Sequence, residues 1–293
     1  CVAWAAYHIR AIDPDATMIV SPADHLILRE EVFRDAILQG MDFVEELPSL
    51  LTLGVKPTRA ETGYGYIQIG DESKGAIRSV KTFTEKPNRE LAQVFVDSGE
   101  FFWNTGIFIW KAGSIIEAIK QYLPEVSIRF EACSDSFGRP GSEQVVQKQL
   151  AACPNISIDV GIMEKATNVY VLCTDFGWSD VGTWGSLYAL SQKDTCENVV
   201  LHGRATCYDS HRNIVSTSEK KLVILDGLQD YIVTDSENVL LICRKRSSVY
   251  ASLSMMPRPV SEMNIHRKNL IGGTIERERC ERSRFFVSRC YYK

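Results

Sequence analysis

The spacing of apolar positions changes character along the chain, and the change marks its organisation. Over residues 1–194, short continuous apolar runs alternate with runs spaced near 3.6. The first pattern predicts buried strands and the second amphipathic helices. Residues 1–12 read as a helix already under way, and 16–20 as a buried strand. A helix is expected over 30–46, with Val32, Phe33, Ile37, Met41 and Val44 on one face. Strands follow at 50–55, 66–69 and 77–84, then a helix over 89–97 with Asn88 as N-cap and Gly99 as its stop. An apolar strand over 101–110 precedes helices at 112–122 and 144–152, with a loop at 134–142 between them. Ser157 opens a further helix over 157–165, and 168–174 is a strand. From 195 to 245 helical spacing vanishes, and short runs (NVVLHG, NIVSTS, KLVILDG, DYIVTDS) alternate with Gly, Asp, Asn and Ser. A small all-β unit is expected there, coiled strand on strand. Residues 246–293 show neither period and read as a loosely packed tail, an altered reading frame being one origin.

Chemistry-bearing residues recur just beyond the strands. Pro22 stops the first strand and delivers Asp24; Pro87 follows Glu85 and Lys86; Asp180 sits between Gly177 and Gly182 after the strand at 168–174. By itself Asp180 reads as a cap for the next helix. A second acid, Asp24, in the same kind of place points instead to carboxylates at the open edge of an α/β sheet, where such folds bind ligands. Glu85 and Lys86 read either as a solvated ion pair or as a sugar-hydroxyl and a phosphate contact. Gly65 and its neighbour Tyr66 form a hairpin entry or a backbone approach for a ligand. Asn104, followed by Thr105 and Gly106 inside an apolar strand, must be hydrogen-bonded to backbone or ligand. Asp159 in a helix's first turn suits the dipole or a substrate hydroxyl.

Composition narrows the class. With 45% hydrophobic and 24% charged residues over 293 positions, a packed domain plus a small one is expected. A net charge of −4 argues against a nucleic-acid or membrane-surface partner. Neither a membrane-spanning run nor a signal peptide is read. The nine cysteines, without a CxxC or a Cys/His pattern, read as reduced thiols of a cytoplasmic protein. A thiol nucleophile is not expected, since none pairs with His in a motif.

Six motifs in fixed order carry a resemblance: PADH (22–25), GVKPTRAETGYGYI (54–67), FTEKP (83–87), FFWNTGIFIW (101–110), SIDVGIMEK (157–165) and GWSDVGTW (177–184). Together they resemble the mannose-1-phosphate guanylyltransferases, a family of sugar-nucleotide pyrophosphorylases, over residues 1–245. The resemblance implies a Rossmann-like mixed α/β sheet of the nucleotide-diphospho-sugar transferase type, followed by a short left-handed parallel β-helix. It implies transfer of GMP from GTP to α-D-mannose 1-phosphate, giving GDP-mannose and pyrophosphate, with Mg²⁺ as cofactor. Asp24 and Asp180 would then be the metal carboxylates and Lys86 the phosphate contact. Gly65, Tyr66, Glu85, Asn104 and Gly106 would meet the sugar, and Asp159 the mannose or ribose. Such chemistry needs no general base, because the attacking phosphate oxygen is already ionised; it needs positioning and charge stabilisation.

One departure stands out. The family's glycine-rich loop with its arginine does not occur here, so the chain reads as a fragment lacking about a third of a ~200–250-residue catalytic domain. Impaired β-phosphate and guanine sites are expected. Two alternatives stay open: a glucose-1-phosphate uridylyl- or thymidylyltransferase, and a non-catalytic sugar-phosphate-binding regulatory subunit. A homodimer is compatible with any of them.

Overall fold

The computed structural model describes residues 1–137, 142–236, 239–245 and 287–289. They form two compact units, dividing between Trp178 and Ser179.

The first unit is a mixed sheet flanked by helices. Helix α1 (Val2–Ile12) buries Ala5, Ala6, Tyr7 and Ile9. Strand β1 (Thr17–Ser21) ends at Pro22, and the two-residue β2 (Leu26–Ile27) leads into α2 (Glu30–Glu46). Strand β3 (Leu50–Val55) is buried at every position, which its continuous apolar run requires. Strands β4 (Tyr66–Lys74) and β5 (Ile77–Thr84) form a hairpin closed at Gly75, whose φ of 65° suits a residue without Cβ. The hairpin extends β4 beyond the expected 66–69, because its polar end DESK lies on the sheet's edge and is exposed.

Helix α3 (Arg89–Ser98) starts where Asn88 Oδ1 accepts the Leu91 N–H at 2.9 Å and stops at left-handed Gly99. Strand β6 (Phe101–Lys111) runs unbroken through Asn104, followed by α4 (Ala112–Tyr122) and α5 (Pro124–Glu131). Helix α5 escapes periodicity because its eight residues bury only Val126, Ser127 and Phe130. Helix α6 (Ser142–Ala151) follows. The helix expected over 157–165 is instead one π-helical turn, Asp159–Met163. Ser157 does cap it, its Oγ accepting the Val160 N–H at 3.2 Å. Gly161 lets the turn press on α4's end: a Cβ there would lie 3.1 Å from Leu123 Cδ1. Strand β7 (Val169–Cys173) begins soon after, leaving no length for further turns. The two-residue β8 (Trp178–Ser179) lies at the division.

The sheet order is β1-β6-β3-β7-β5-β4, with a short strand Val287–Arg289 parallel to β1. Pairs β3–β7 are parallel, whereas β1–β6, β3–β6 and β5–β7 are antiparallel. Its two faces bury separate apolar cores, one against α1 and α4, the other against α2 and α3. The remainder of the expected loose tail lies outside the described residues, as does part of the expected 134–142 loop.

The second unit begins with α7 (Trp184–Leu190), whose cap is Thr183. Thr183 Oγ1 accepts the Ser186 N–H at 3.1 Å and Ser186 Oγ accepts the Thr183 N–H at 3.2 Å, a closed capping box. Trp184 and Tyr188 pack on Ile214, Ile232 and Cys243, so α7 counts with the β-unit although the sequence reading ends the first domain at 194. Strands β9 (Val199–His202), β11 (Ile214–Ser216) and β13 (Tyr231–Ser236) pair in parallel, as do β10 (Arg204–Tyr208) and β12 (Leu222–Asp226). Strand β14 (Val239–Arg244) returns antiparallel on β13.

Asparagines join successive coils. Asn213 is fully buried and donates Nδ2 to Asn198 Oδ1 at 3.0 Å and Leu228 O at 2.8 Å. Its Oδ1 accepts the Tyr231 N–H at 2.9 Å. No described helix is long and apolar enough to cross a membrane.

Replacing Asn213 by alanine strands buried donors and acceptors in two coils at once. The expected outcome is a loss of about 3 kcal/mol in urea unfolding of the β-unit. A loss under about 1 kcal/mol would mean that the ladder is replaceable by water.

Candidate functional site

The site grows from Asn104, a polar side chain forced inside an apolar strand. Its Oδ1 accepts the Thr52 hydroxyl at 3.0 Å and the Gly106 N–H at 3.2 Å. Both lone pairs are then used, which fixes the amide's orientation. Its Nδ2 donates to Asp159 Oδ1 at 3.0 Å, and its backbone N–H to Gly65 O at 2.8 Å. Thr52 and Gly106 therefore aim the amide at Asp159, while the strand backbone at Asn104 holds Gly65. Gly106 adopts φ 71°, and a Cβ there would meet Pro22 Cγ at 3.5 Å. The open side of Gly106 thus faces Pro22, two residues before Asp24.

Gly65 is buried and forms the floor between Glu85 and Asn104. A Cβ on it would lie 2.7 Å from Glu85 Oε2 and 3.4 Å from Asn104 Cβ. Any side chain would collide with these groups, so only glycine lets Glu85 and Asn104 close in on the backbone here. Glu85 Oε1 pairs with Lys86 Nζ at 2.9 Å, and the lysine side chain is 62% exposed. Lys86 has φ 46°, an unfavourable left-handed conformation for a residue with a Cβ. The carboxylate of Glu164 accepts the Glu85 N–H at 3.2 Å.

Electrostatics single out Asp159. Burial, then the neighbouring Glu85 carboxylate, push its pKa up from 3.8 to about 6, against the opposing Asn104 amide and Lys86 ammonium. Two carboxylates, one ammonium and one amide around a glycine floor can hold a hydroxylated, anionic molecule: carboxylates accept from hydroxyls, and the lysine meets a phosphate.

Six of the expected residues therefore come together: Gly65, Glu85, Lys86, Asn104, Gly106 and Asp159. Tyr66 does not belong with them through its side chain, which corrects the sequence reading. Its ring is fully buried against Phe95, and its hydroxyl accepts the Glu61 N–H at 2.9 Å. Pairing with both β5 and β6 places Tyr66 inside the sheet, with its ring in the core.

Asp24 is exposed in the loop after β1. Next to it, His25 Nδ1 accepts the Trp178 indole N–H at 3.0 Å, and the Leu28 and Arg29 N–H groups donate to Gly177 O and Phe176 O. In the second unit, Asp180 Oδ1 accepts the Gly182 N–H at 3.0 Å. A Cβ on Gly182 would sit 2.6 Å from Asp180 Oδ2, so glycine permits this turn. Because Thr183 caps α7, the capping role is not Asp180's. Among the described residues no group of three or more His, Cys, Asp or Glu could hold a metal ion. A site of one or two carboxylates suits Mg²⁺, which keeps several waters and shares substrate phosphates.

The sequence reading missed Thr52 and Glu164. Thr52 had a signal, as the one hydroxyl in the fully buried run LLTLGV. Burial pushes the Cys173 thiol up to about 11 and raises Cys133, Cys207 and Cys243, which disfavours a thiolate at these four.

Residues 1–197 match the model of the nucleotidyl transferase family. The chain belongs to the nucleotidyl transferase family. Among curated family relatives, the mannose-1-phosphate guanylyltransferase of Escherichia coli K12 is 35% identical over 256 residues, 84% of this chain and 52% of that protein. ManC of Salmonella typhimurium LT2, named a mannose-1-phosphate guanylyltransferase, is 36% identical over 243 residues, 80% of this chain and 49% of its own. A solved structure from Thermus thermophilus, named there a mannose-1-phosphate geranyltransferase, superposes with a TM-score of 0.73. It is 30% identical and matches 89% of this chain and 73% of that one. The chain spans about half the length of the curated nucleotidyl transferases it matches.

The raised pKa of Asp159 has a consequence for this family member's stability. A carboxyl whose folded pKa exceeds its unfolded value favours folding only while protonated. Its contribution is complete below about 3.8 and is lost as pH rises through about 6. Asp159→Asn is therefore expected to stabilise the chain by about 1–2 kcal/mol at pH 7.5, with the gain vanishing by about pH 4. Thermal melts across that range check it; a gain independent of pH would contradict the electrostatic cause.

Proposed function

We propose that this chain carries the sugar-phosphate half of a mannose-1-phosphate guanylyltransferase. The reaction is transfer of GMP from GTP to α-D-mannose 1-phosphate, releasing pyrophosphate. The observation that carries the reading is the gathering of Gly65, Glu85, Lys86, Asn104 and Asp159 around one glycine floor. The shared family and the names of the relatives support it.

In this reading Lys86 holds the sugar phosphate, Glu85 and Asn104 hold hydroxyls, and Gly65 offers its backbone. Gly106 shapes the strand beneath Asn104, and Asp159 orients the amide and faces the sugar. Asp24 and Asp180 are each proposed as Mg²⁺ carboxylates. At either carboxylate, such an ion would neutralise charge between approaching phosphates. The chain's own residues position the sugar phosphate, whose ionised oxygen needs no base. The coiled β-unit is proposed to be a short left-handed parallel β-helix, a reading its parallel pairs support. The free thiols of the described cysteines support a reducing, cytoplasmic setting, and a homodimer is compatible with it.

Titration calorimetry with mannose 1-phosphate tests the reading. The chain should bind it, and Lys86→Ala should weaken binding about 10–100-fold, as expected for one charge-assisted phosphate contact. With GTP and Mg²⁺ added, pyrophosphate release would support the whole reaction. Equal affinity for glucose 1-phosphate would favour the uridylyl- or thymidylyltransferase reading. Binding without any turnover would favour the regulatory one.

A further inference from the structure

The π-helical turn Asp159–Met163 places two carboxylates where an α-helix could not. At about 100° per residue, side chains five apart on an α-helix diverge by roughly 140°. Here the Glu164 N–H closes an i+5 bond onto Asp159 O at 2.9 Å, which winds the turn wider. Asp159 reaches Asn104, and Glu164 reaches the Glu85 N–H at 3.2 Å, 79 residues away in sequence. The two acceptors of one turn thus meet two different strands, β6 and the end of β5.

The bond from Glu164 falls on a strained place. Lys86, the next residue, has φ 46°, a conformation that costs a residue with a Cβ of order 1 kcal/mol or more. Pro87 after it is buried and fixes the exit of the chain. A left-handed lysine between a strand end and a buried proline needs its entry held, and no other described bond accepts the Glu85 N–H. We propose that Glu164 is a positioning residue: its carboxylate holds the Glu85 N–H, and so keeps Lys86 in the left-handed turn that aims its ammonium beside Glu85. It touches no reacting atom. The inference rests on the reading of Glu85 and Lys86 as sugar-phosphate contacts.

Glu164 is exposed, so its loss should leave the fold intact. Two variants separate aim from charge. Glu164→Ala removes the acceptor, whereas Glu164→Gln keeps a side-chain oxygen at the same reach. Mannose 1-phosphate affinity by calorimetry and exchange of the Glu85 amide by NMR are measured on all three chains. Glu164→Ala should weaken binding about 3–10-fold and speed Glu85 amide exchange at an unchanged melting temperature, and Glu164→Gln should restore most of both. If the parent chain binds mannose 1-phosphate and Glu164→Ala binds it equally, or exchanges its Glu85 amide no faster, the positioning role is overturned while the site reading stands. If Gln and Ala behave alike, the effect is one of charge and the positioning role is overturned too. If the parent chain binds no mannose 1-phosphate, the site reading falls and the inference falls with it.

Discussion

A buried amide is the constraint on which the first unit's site depends. Asn104 stands in the middle of a strand whose neighbours are core residues, and an unpaired amide there would cost several kcal/mol. The cost is removed by Thr52, Gly106 and Asp159, while Gly65 O takes the Asn104 backbone N–H. Three other chain segments therefore converge on β6 for reasons of hydrogen-bond satisfaction before any ligand is considered. Their convergence closes Glu85 and Asn104 around Gly65 and leaves the carboxylate of Asp159 half-buried beside Glu85. The raised pKa of Asp159 is the electrostatic cost of that arrangement, which a stability-only design would avoid.

The second unit uses the same logic with a different result. Asn198 and Asn213 satisfy buried backbone groups from coil to coil, and the strands stack because each asparagine completes its neighbour. Polar residues in this unit hold layers together; in the first unit they are gathered at one place. The same residue type therefore reads differently according to whether its partners are regular or convergent.

Much of this was legible from spacing. Strands at 50–55 and 77–84 and helices at 30–46 and 112–122 have the bounds that their apolar periods indicate, because burial on one or both faces dictates the pattern. Glu85 and Lys86 were legible because they follow a strand end, where α/β sheets open to ligands. Tyr66 misled because sequence adjacency to Gly65 says nothing of the face it points to. Glu164 could not be found, since its bond to Glu85 depends on a π turn and on a contact across 79 residues. Helix α5 was hidden by its sparse burial, and the cap of α7 passed from Asp180 to Thr183 because a two-residue turn at Gly182 intervenes.

The central claim is that the cluster around Asn104 is a preformed cradle for a hexose 1-phosphate. Amide shift mapping with mannose 1-phosphate addresses it most directly. The account predicts that the largest shifts fall on Gly65, Glu85, Lys86, Asn104 and Asp159, with β-unit amides such as Asn213 unmoved. Shifts confined to other surfaces, or none at all at saturating ligand, would contradict it.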